Sequence, residues 1–125
     1  ATAAHQVEGD NTNSDWYVWE NRKESLGASG AACDFWRRYS SDFDIVSSMG
    51  LNSFRLSIEW SRVEPKPGEF DIIAIDHYRS MLMDAQAKGL KTMVTLHHFT
   101  TPLWLANSGG WISEKAPQAF KKYTE

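Results

Sequence analysis

The sequence has few of the features that mark disulfide-rich, membrane or nucleic-acid-binding proteins. Its 125 residues include a single cysteine, Cys33, so no intrachain disulfide can form, and this favours a reducing compartment such as the cytoplasm. No apolar run is long enough to span a bilayer, and the formal net charge of -3 provides no basic patch for nucleic acid. We expect Cys33 to be a small, half-buried residue without a reactive role.

Histidine is also scarce, and the four histidines give no pattern for a metal site. His97 and His98 are adjacent at the end of an apolar run, and side chains alternate along a strand, so their rings should point to opposite sides. His5 and His77 lie far away in the sequence, without the HxH or HxxxH spacing of a zinc site. We therefore expect no metal ligands in this chain.

Hydrophobic residues are abundant, at 42% of the chain, and six are tryptophans. This is enough for one modest domain covering residues 1–125. Aromatic residues usually form core, but several of these tryptophans lie beside loop motifs, which also fits a sugar-binding cleft. The chain opens with ATAAHQ, without an initiator methionine or a signal peptide, so the compartment stays unknown.

Two predicted helices each have one apolar face. The first covers residues 34–49, with Asp34 as its N-cap and Gly50 as the residue that ends it. The second begins at Asp71 and ends before Gly89. The apolar faces contain Phe35, Tyr39, Phe43 and Val46 in the first helix, and Ile75, Tyr78, Leu82 and Ala85 in the second.

Each predicted helix is followed at once by a predicted strand, at residues 51–60 and 90–98, and the two helix exits are 39 residues apart. Strand, helix and strand in this order predict a βαβ unit of a parallel sheet, and two copies in phase predict a repeated architecture. Residues 1–6 resemble the end of a strand, and Ser113 is the predicted N-cap of a third helix. We expect about three βα units of a larger (β/α)8 TIM barrel, which needs roughly 250 residues. A small, complete α/β domain of three strands is the alternative.

The predicted strand at residues 51–60 carries charged residues on one face. In a parallel barrel both faces are buried, so Arg55 and Glu59 would lie inside, where charges need partners. They either form an interior ion pair, with each other or with a neighbour, or Arg55 supports an anionic catalytic group. The faces consist of Phe54, Leu56, Ile58 and Trp60 on one side, and Arg55, Ser57 and Glu59 on the other.

Two polar side chains at strand ends suit a ligand rich in hydroxyl groups. Active sites of barrels lie at the carboxyl ends of the strands, where His98 should face the mouth. A neutral imidazole both donates and accepts hydrogen bonds, as each sugar hydroxyl does. Gln6, at the end of the first strand-like stretch, has the same dual capacity. A structural role for either residue stays open.

Four segments together resemble family 1 glycoside hydrolases, the retaining β-glucosidases and β-galactosidases with a (β/α)8 barrel. The segments are TAAHQVEG at 2–9, FRLSIEWSRVEPKPG at 54–68, TLHHFTTPLWL at 95–105 and GGW at 109–111. The resemblance implies a terminal β-linked glucose, galactose or related unit as substrate, and no cofactor. It also implies that the chain is the N-terminal third or quarter of such an enzyme, cut at both ends, with the remaining barrel portion as its partner.

The resemblance assigns roles to individual residues. Gln6 matches the glutamine that binds the outer hydroxyls of the first sugar, and His98 matches a histidine that contacts a neighbouring hydroxyl. Arg55 matches the arginine near the nucleophile carboxylate. Phe99 stands where many members have tryptophan, which keeps an apolar wall but loses the indole N–H donor. Trp104 would be a second wall, and His97 receives no catalytic role.

The two catalytic glutamates of the family are missing from this sequence, because neither an Asn-Glu-Pro nor a Glu-Asn-Gly motif occurs. Retaining hydrolysis needs two carboxyl groups about 5–5.5 Å apart. Glu8, Glu20, Glu59 and Glu64 match neither motif, and Glu64 lies in a proline-rich loop where we expect a solvated acid. We therefore expect no catalytic residue in this chain and no activity of the chain alone. Alternatives are a non-catalytic sugar-binding module and a structural or split-enzyme fragment of a barrel.

Overall fold

The computed structural model describes residues 1–22 and 27–125, in which helices pack around a two-stranded parallel sheet. Strand β1 (Ser53–Ser57) pairs with β2 (Lys91–Thr95) in register, with Ser53 opposite Lys91 and Ser57 opposite Thr95. The helices are α1 (Ala4–Val7), α2 (Asp15–Glu20), α3 (Phe35–Ser48), α4 (Trp60–Val63), α5 (Ile72–Ala87), α6 (Leu103–Ala106), a 3₁₀ helix (Gly110–Ile112) and α7 (Ala116–Thr124).

The two helix exits have the same geometry, as the 39-residue repeat predicts. Gly50 has a φ of 74° and Gly89 a φ of 77°, in the left-handed region that glycine adopts easily. After α3, the Gly50 N–H donates to Ser47 O and the Leu51 N–H to Val46 O, which satisfies the last carbonyls of the helix. Each exit therefore turns the chain from a helix directly into a strand of the sheet.

Asp34 and Asp71 both stand at the predicted starts of their helices, but only Asp71 caps its helix with its side chain. The Asp71 carboxylate accepts from the N–H groups of Ile73 and Ala74 at the start of α5. Asp34 precedes α3 but has a φ of 54°, and its carboxylate binds Arg37 at 2.7 Å instead of capping the helix. The left-handed backbone directs its side chain away from the free N–H groups of the first turn.

The apolar faces of α3 and α5 pack on one face of the sheet, as predicted. Phe43 and Ala85 are fully buried, while Phe35 and Tyr78 are nearly so. From β1, Phe54 and Leu56 enter the same core, which confirms the face to which they were assigned. Partly buried residues that complete this packing are Tyr39, Val46, Ile75 and Leu82.

Four predicted element boundaries are wrong, and the first is that β2 ends at Thr95 instead of continuing to His98. Strand β1 ends at Ser57 instead of continuing to Trp60, because the Glu59 side chain caps the helical turn α4. Gln6 does not end a strand: it lies in the helical turn α1, and only Thr2 pairs with β1, through its N–H to Arg55 O at 2.8 Å. Ser113 lies one turn before α7 and follows the 3₁₀ helix, so it is not the N-cap.

Strand β2 is partly exposed on both of its faces. Met93 is 66% exposed and Val94 37%, and within residues 1–22 and 27–125 no strand pairs with the edge of β2 that faces away from β1. Cys33, predicted to be half-buried, is exposed. None of the helices just described is long and apolar enough to cross a membrane.

Candidate functional site

The chain makes a strained turn just after β2, at His98, Phe99 and Thr100. Phe99 has a φ of 70°, a left-handed conformation that a residue with a bulky side chain rarely adopts. The Thr100 N–H donates to His98 O at 2.9 Å, which closes the turn over three residues. Backbone strain of this kind clusters at ligand sites, where the surrounding structure holds it in place.

A line of aromatic rings connects this turn with the segment that carries Gln6. The rings of His98 and Phe99 have centroids 4.6 Å apart, and Phe99 stacks on Trp16 at 5.7 Å. Trp16 then meets the ring of His5 edge-on at 5.9 Å. Gln6 directly follows His5 in the helical turn α1 and is exposed, so the line of rings leads from His98 to the segment that carries Gln6.

Strand β1 holds the Gln6 segment in position. The Thr2 N–H donates to Arg55 O at 2.8 Å, and the Ala4 N–H donates to the buried Ser57 hydroxyl at 2.6 Å. Arg55 and Ser57 alternate with the core residues of β1, so they face the side of the sheet opposite α3 and α5. The segment before Gln6 is thus attached to the non-helical side of the sheet.

A second set of hydrogen bonds holds Trp16 beneath Phe99. The Asp15 carboxylate accepts from the Thr101 N–H at 2.8 Å, and the Asp15 N–H donates to Thr101 O at 3.0 Å. The Leu103 N–H donates to Asn13 O at 3.0 Å. These bonds join residues 13–16 to the chain just after the strained turn, so Trp16 and Phe99 move as one unit.

Two buried acids lie behind the aromatic surface, and the first is Glu8. Its carboxylate is 2% exposed, accepts from Arg62 Nε at 2.9 Å and accepts from the Tyr78 hydroxyl at 2.9 and 3.0 Å. Burial raises the pKa of Glu8 from 4.5 to about 7, although Arg62 and Tyr78 both act to lower it. Burial also raises the pKa of Tyr78, so its hydroxyl stays protonated and can donate to Glu8.

The second buried acid is Glu59, which is also 2% exposed. It accepts from the Thr100 hydroxyl at 2.8 Å and from the Ser61 hydroxyl at 2.9 Å, and its backbone N–H donates to the Tyr78 oxygen at 3.0 Å. The predicted ion pair with Arg55 is not formed. Instead the Glu59 carboxylate accepts hydrogen bonds from the helical turn α4 and from Thr100. It can do so because β1 ends before Glu59, so its side chain no longer follows the strand.

Arg55 is half-buried, and its side chain forms no ion pair with any acid in the described ranges 1–22 and 27–125. It lies on the same side of β1 as Ser57, which supports the Gln6 segment. The structure therefore places a guanidinium beside the candidate site. Its role toward a catalytic carboxylate stays a prediction.

His5 is a member of the site that the sequence did not indicate. Its ring is 5% exposed and lies between the Asn11 amide, at 3.1 Å, and the Glu20 carboxylate, at 3.4 Å. Ser29 donates to the same carboxylate at 2.7 Å. The His5 ring is therefore held in one orientation against Trp16. It is buried and does not reach a ligand.

His97 and His98 face different surroundings, as expected, although both lie beyond the end of β2 at Thr95. His97 packs edge-on against Trp111 at 4.7 Å and also contacts Phe120, whereas His98 contacts Phe99. Burial lowers the pKa of His97, which favours a neutral ring. His97 is thus a packing residue, and only His98 faces the aromatic surface.

Two expectations about the neighbouring loop are wrong. Trp104 is not part of this surface: its indole N–H donates to Glu64 O at 2.9 Å and its ring meets Trp60 edge-on at 5.9 Å. Glu64 is not solvated but 2% exposed, and accepts from the Trp60 indole and the Gly68 N–H, both at 2.7 Å. The acid supplies the acceptor that a buried indole and a tight turn require.

The two buried acids are shielded from solvent. Glu8 and Glu59 are buried and occupied by hydrogen bonds, so neither can reach a substrate in the solvent. A separate groove of about 550 Å³ lies between α5 and α7, but none of the predicted site residues lines it. Among the predicted site residues, Gln6 and Phe99 are exposed and His98 is partly buried.

Sequence reasoning missed the residues that hold this surface together, namely Asp15, Trp16, Tyr78 and Thr100. Asp15 and Trp16 begin the short helix α2, after a polar stretch that carries no signal for their contacts with the chain after β2. Tyr78 was assigned to the apolar face of α5, which is correct, but its hydroxyl needed a buried partner. Glu8 was considered only as a catalytic acid, and its neighbours Gln6, Gly9 and Asp10 carry no signal of burial.

Comparisons with known proteins agree over the whole chain. The model of glycosyl hydrolase family 1 matches residues 1–125. A β-glucosidase from Agrobacterium sp. is 32% identical, over 100% of this chain and 29% of its own length. A 6-phospho-β-galactosidase from Staphylococcus aureus is 34% identical, over 100% of this chain and 28% of its own length.

Among solved structures, that of the β-glycosidase BGL167 superimposes with a TM-score of 0.95 and 44% identity, over 98% of this chain and 30% of its own. This chain thus spans less than a third of the length of the relatives it matches. The expected fold, a portion of a (β/α)8 barrel, is confirmed, and the described elements form an open part of it.

Proposed function

The chain belongs to glycosyl hydrolase family 1, and on that basis we propose that it supplies the sugar-binding part of a retaining β-glycosidase. Such an enzyme hydrolyses a terminal β-linked glucosyl or galactosyl unit. Relatives named as β-glucosidases and as a 6-phospho-β-galactosidase support this class of substrate. The bond-breaking glutamates belong to the remaining barrel portion, because this chain has neither family motif.

The observation that carries the proposal is the aromatic surface between Gln6 and His98. These residues are far apart in the sequence, yet the stacked rings of Phe99 and Trp16 join their surroundings. Apolar ring faces beside groups that both donate and accept hydrogen bonds are what a sugar requires, because its C–H surfaces and its hydroxyl groups alternate. A flat apolar patch without these polar ends would not select a sugar.

Gln6, His98 and Phe99 each have a role in this proposal. The Gln6 amide binds two neighbouring hydroxyls, one as donor and one as acceptor, and His98 binds a third. Phe99 provides the apolar wall for the sugar ring. These contacts orient the sugar so that the glycosidic bond faces the two carboxyl groups. Such orientation lowers the activation free energy of hydrolysis by a large part.

Arg55 would act on the nucleophile and not on the sugar. Retaining hydrolysis needs one ionised carboxylate as the nucleophile and one protonated carboxyl as the acid. A guanidinium close to a carboxylate lowers its pKa and keeps it ionised. Arg55 has no acidic partner in the part of the chain that the structure describes, so it is free to serve this purpose.

The remaining barrel portion is the proposed protein partner, and β2 is the surface where it joins. Met93 and Val94 on β2 are exposed, and Leu96 just after it is 39% exposed. An added parallel strand would satisfy the free edge of β2 and bury these side chains. This pairing would also bring further strand ends next to His98, where the catalytic carboxyl groups are needed.

The proposal is tested by titrating the chain with methyl β-D-glucopyranoside and following amide chemical shifts by NMR. We expect saturable shifts at residues 5–6 and 98–99, and a large loss of affinity in the Gln6→Ala variant. Gln118→Ala, which removes an exposed glutamine from α7, is the matched control and should bind like the original chain. A titration with the 6-phosphate of the same glycoside decides between the two substrate types among the relatives. Shifts spread evenly over the surface, or equal loss in both variants, would overturn the proposal.

A further inference from the structure

Thr100 links the strained turn at residues 98–100 to Glu59 by a hydrogen bond. Its hydroxyl donates to the Glu59 carboxylate, with Thr100 Oγ1 2.8 Å from one oxygen and 3.1 Å from the other. Both residues are buried, at 5% and 2% exposure, so no water competes for this bond. Phe99, just before Thr100, has the left-handed backbone that its side chain disfavours.

Glu59 is itself fixed from two other elements. Its carboxylate accepts from the Ser61 hydroxyl on α4, and its backbone N–H donates to Tyr78 on α5. The same Tyr78 hydroxyl donates to Glu8, two residues after Gln6. A continuous buried chain of hydrogen bonds therefore leads from the Gln6 side of the surface to the His98 side.

We propose that Glu59 is a positioning residue, whose carboxylate holds Thr100 so that the turn presents His98 and Phe99 to the sugar. The inference rests on the proposed function and adds Glu59 to the binding site as a residue that never touches the substrate. Without this bond Phe99 would relax to an extended or helical backbone, and its ring would leave Trp16. The sugar would then lose its apolar wall and the imidazole beside it.

A role restricted to folding predicts different behaviour. If Glu59 only satisfied the buried turn α4, loss of the Thr100 hydroxyl would lower stability and leave the affinity of the folded chain unchanged. The neighbouring Thr101 provides a matched control, because it is equally buried and its hydroxyl forms no hydrogen bond within residues 1–22 and 27–125. Its backbone bonds with Asp15 stay intact in a Thr101→Val variant.

The test compares Thr100→Val with Thr101→Val and with the conservative Thr100→Ser, each titrated with methyl β-D-glucopyranoside. We expect affinity to fall at least fivefold in Thr100→Val, and to stay within twofold in the other two variants. Thr100→Ala replaces Thr100→Val if the latter fails to fold. Equal affinity in Thr100→Val and the original chain, or equal loss in Thr100→Val and Thr101→Val, would overturn the inference.

A second measurement separates this inference from the proposed function. In the absence of sugar, nuclear Overhauser contacts between the rings of Phe99 and Trp16 report the turn directly. We expect these contacts to vanish in Thr100→Val and to persist in Thr100→Ser and Thr101→Val. If the original chain binds no glycoside, the proposed function fails, while this pattern still supports positioning by Glu59. If the contacts persist in Thr100→Val, the positioning role is wrong.

Discussion

The rings of Phe99 and Trp16 lie face to face, with centroids 5.7 Å apart and planes 3° from parallel. Phe99 is nevertheless 60% exposed, so its outer face is available to a ligand. Stacking of this kind contributes about 1 kcal/mol beyond the area buried. The pair therefore combines a fixed orientation with a free apolar face.

Phe99→Ala should reduce affinity for methyl β-D-glucopyranoside about fivefold or more, because the sugar loses its wall. The free energy of unfolding should fall by only about 1 kcal/mol, since most of the side chain is already in contact with water. Affinity is measured by NMR titration and stability by urea denaturation. Ile73→Ala, at an 82% exposed position on α5, is the control and should leave the affinity unchanged. Unchanged affinity in Phe99→Ala would remove Phe99 from the site.

Gly9→Ala should be strongly destabilising. Gly9 has a φ of 84°, and a Cβ there would lie 2.2 Å from Ala31 O, so both the backbone and the packing must change. We expect a loss of about 3 kcal/mol or more in the free energy of unfolding. Gly30→Ala is the matched variant, with a φ of 53° and nothing within 4 Å of its Cβ, and it should cost about 1 kcal/mol. An equal loss of stability in the two variants would mean that the backbone at Ala31 can move away from residue 9.

Glu8→Gln should flatten the dependence of stability on pH. The pKa of Glu8 is about 7 in the folded chain, above its ordinary 4.5, so the folded state binds this proton more tightly than the unfolded state. The free energy of unfolding should therefore fall as pH rises from about 4.5 to 7, by at most about 3 kcal/mol from this group. Urea denaturation at pH 5 and pH 8 measures the difference.

The same measurement on Glu69→Gln provides the control, because Glu69 is exposed and pairs only with Lys66 at the surface. This variant should keep the pH dependence of the original chain. If Glu8→Gln also keeps it, the carboxyl is ionised in the folded state at pH 5, and its pairing with Arg62 outweighs burial.

Asp71→Ala should cost about 1 kcal/mol in the free energy of unfolding, because two N–H groups at the start of α5 lose their acceptor. Asp34→Ala, at the start of α3, should cost less, since this carboxylate caps no N–H and forms an exposed pair with Arg37. Thermal unfolding of the two variants checks the order. A larger loss in Asp34→Ala would contradict the assigned caps.

The chain alone should not hydrolyse aryl β-glucosides. It has neither catalytic motif of its family, and Glu8 and Glu59 are buried in hydrogen bonds. Release of nitrophenol from the purified chain is measured with and without a polypeptide that supplies the remaining βα units. We expect turnover only in the mixture. Turnover by the chain alone that disappears in Glu59→Gln would assign the chemistry to this segment.

The sequence was sufficient where local chemistry decides the structure. The positions of α3, α5, β1 and β2 followed from apolar periodicity and from the glycines at the helix exits, because these signals act within a few residues. Asp71 was recognised as the start of a helix for the same reason. The resemblance to the family added Gln6, Arg55, His98 and Phe99 as site residues, whose roles remain predictions.

The sequence was insufficient where a distant partner decides the conformation. The helical turn at Gln6 depends on Ser57, which accepts from Ala4 and draws the segment out of the strand direction. In a continuous strand, Glu59 could form an ion pair with Arg55 or with another neighbour. Its side chain reaches Thr100 instead, because β1 ends at Ser57. Glu64 is polar and is followed by two prolines, yet it is buried because the Trp60 indole needs an acceptor.

The bonds that hold the aromatic surface also determine when it can form during folding. Glu8 and Tyr78 are 70 residues apart, Glu59 and Thr100 are 41 apart, and Asp15 and Thr101 are 86 apart. Closing such long loops costs entropy before the contacts repay it, whereas each helix exit closes locally. The sheet and its two helices can thus assemble while the sugar surface is still open. Slow amide exchange at residue 101 would then report complete folding, and a chain with intact helices could still lack a binding site.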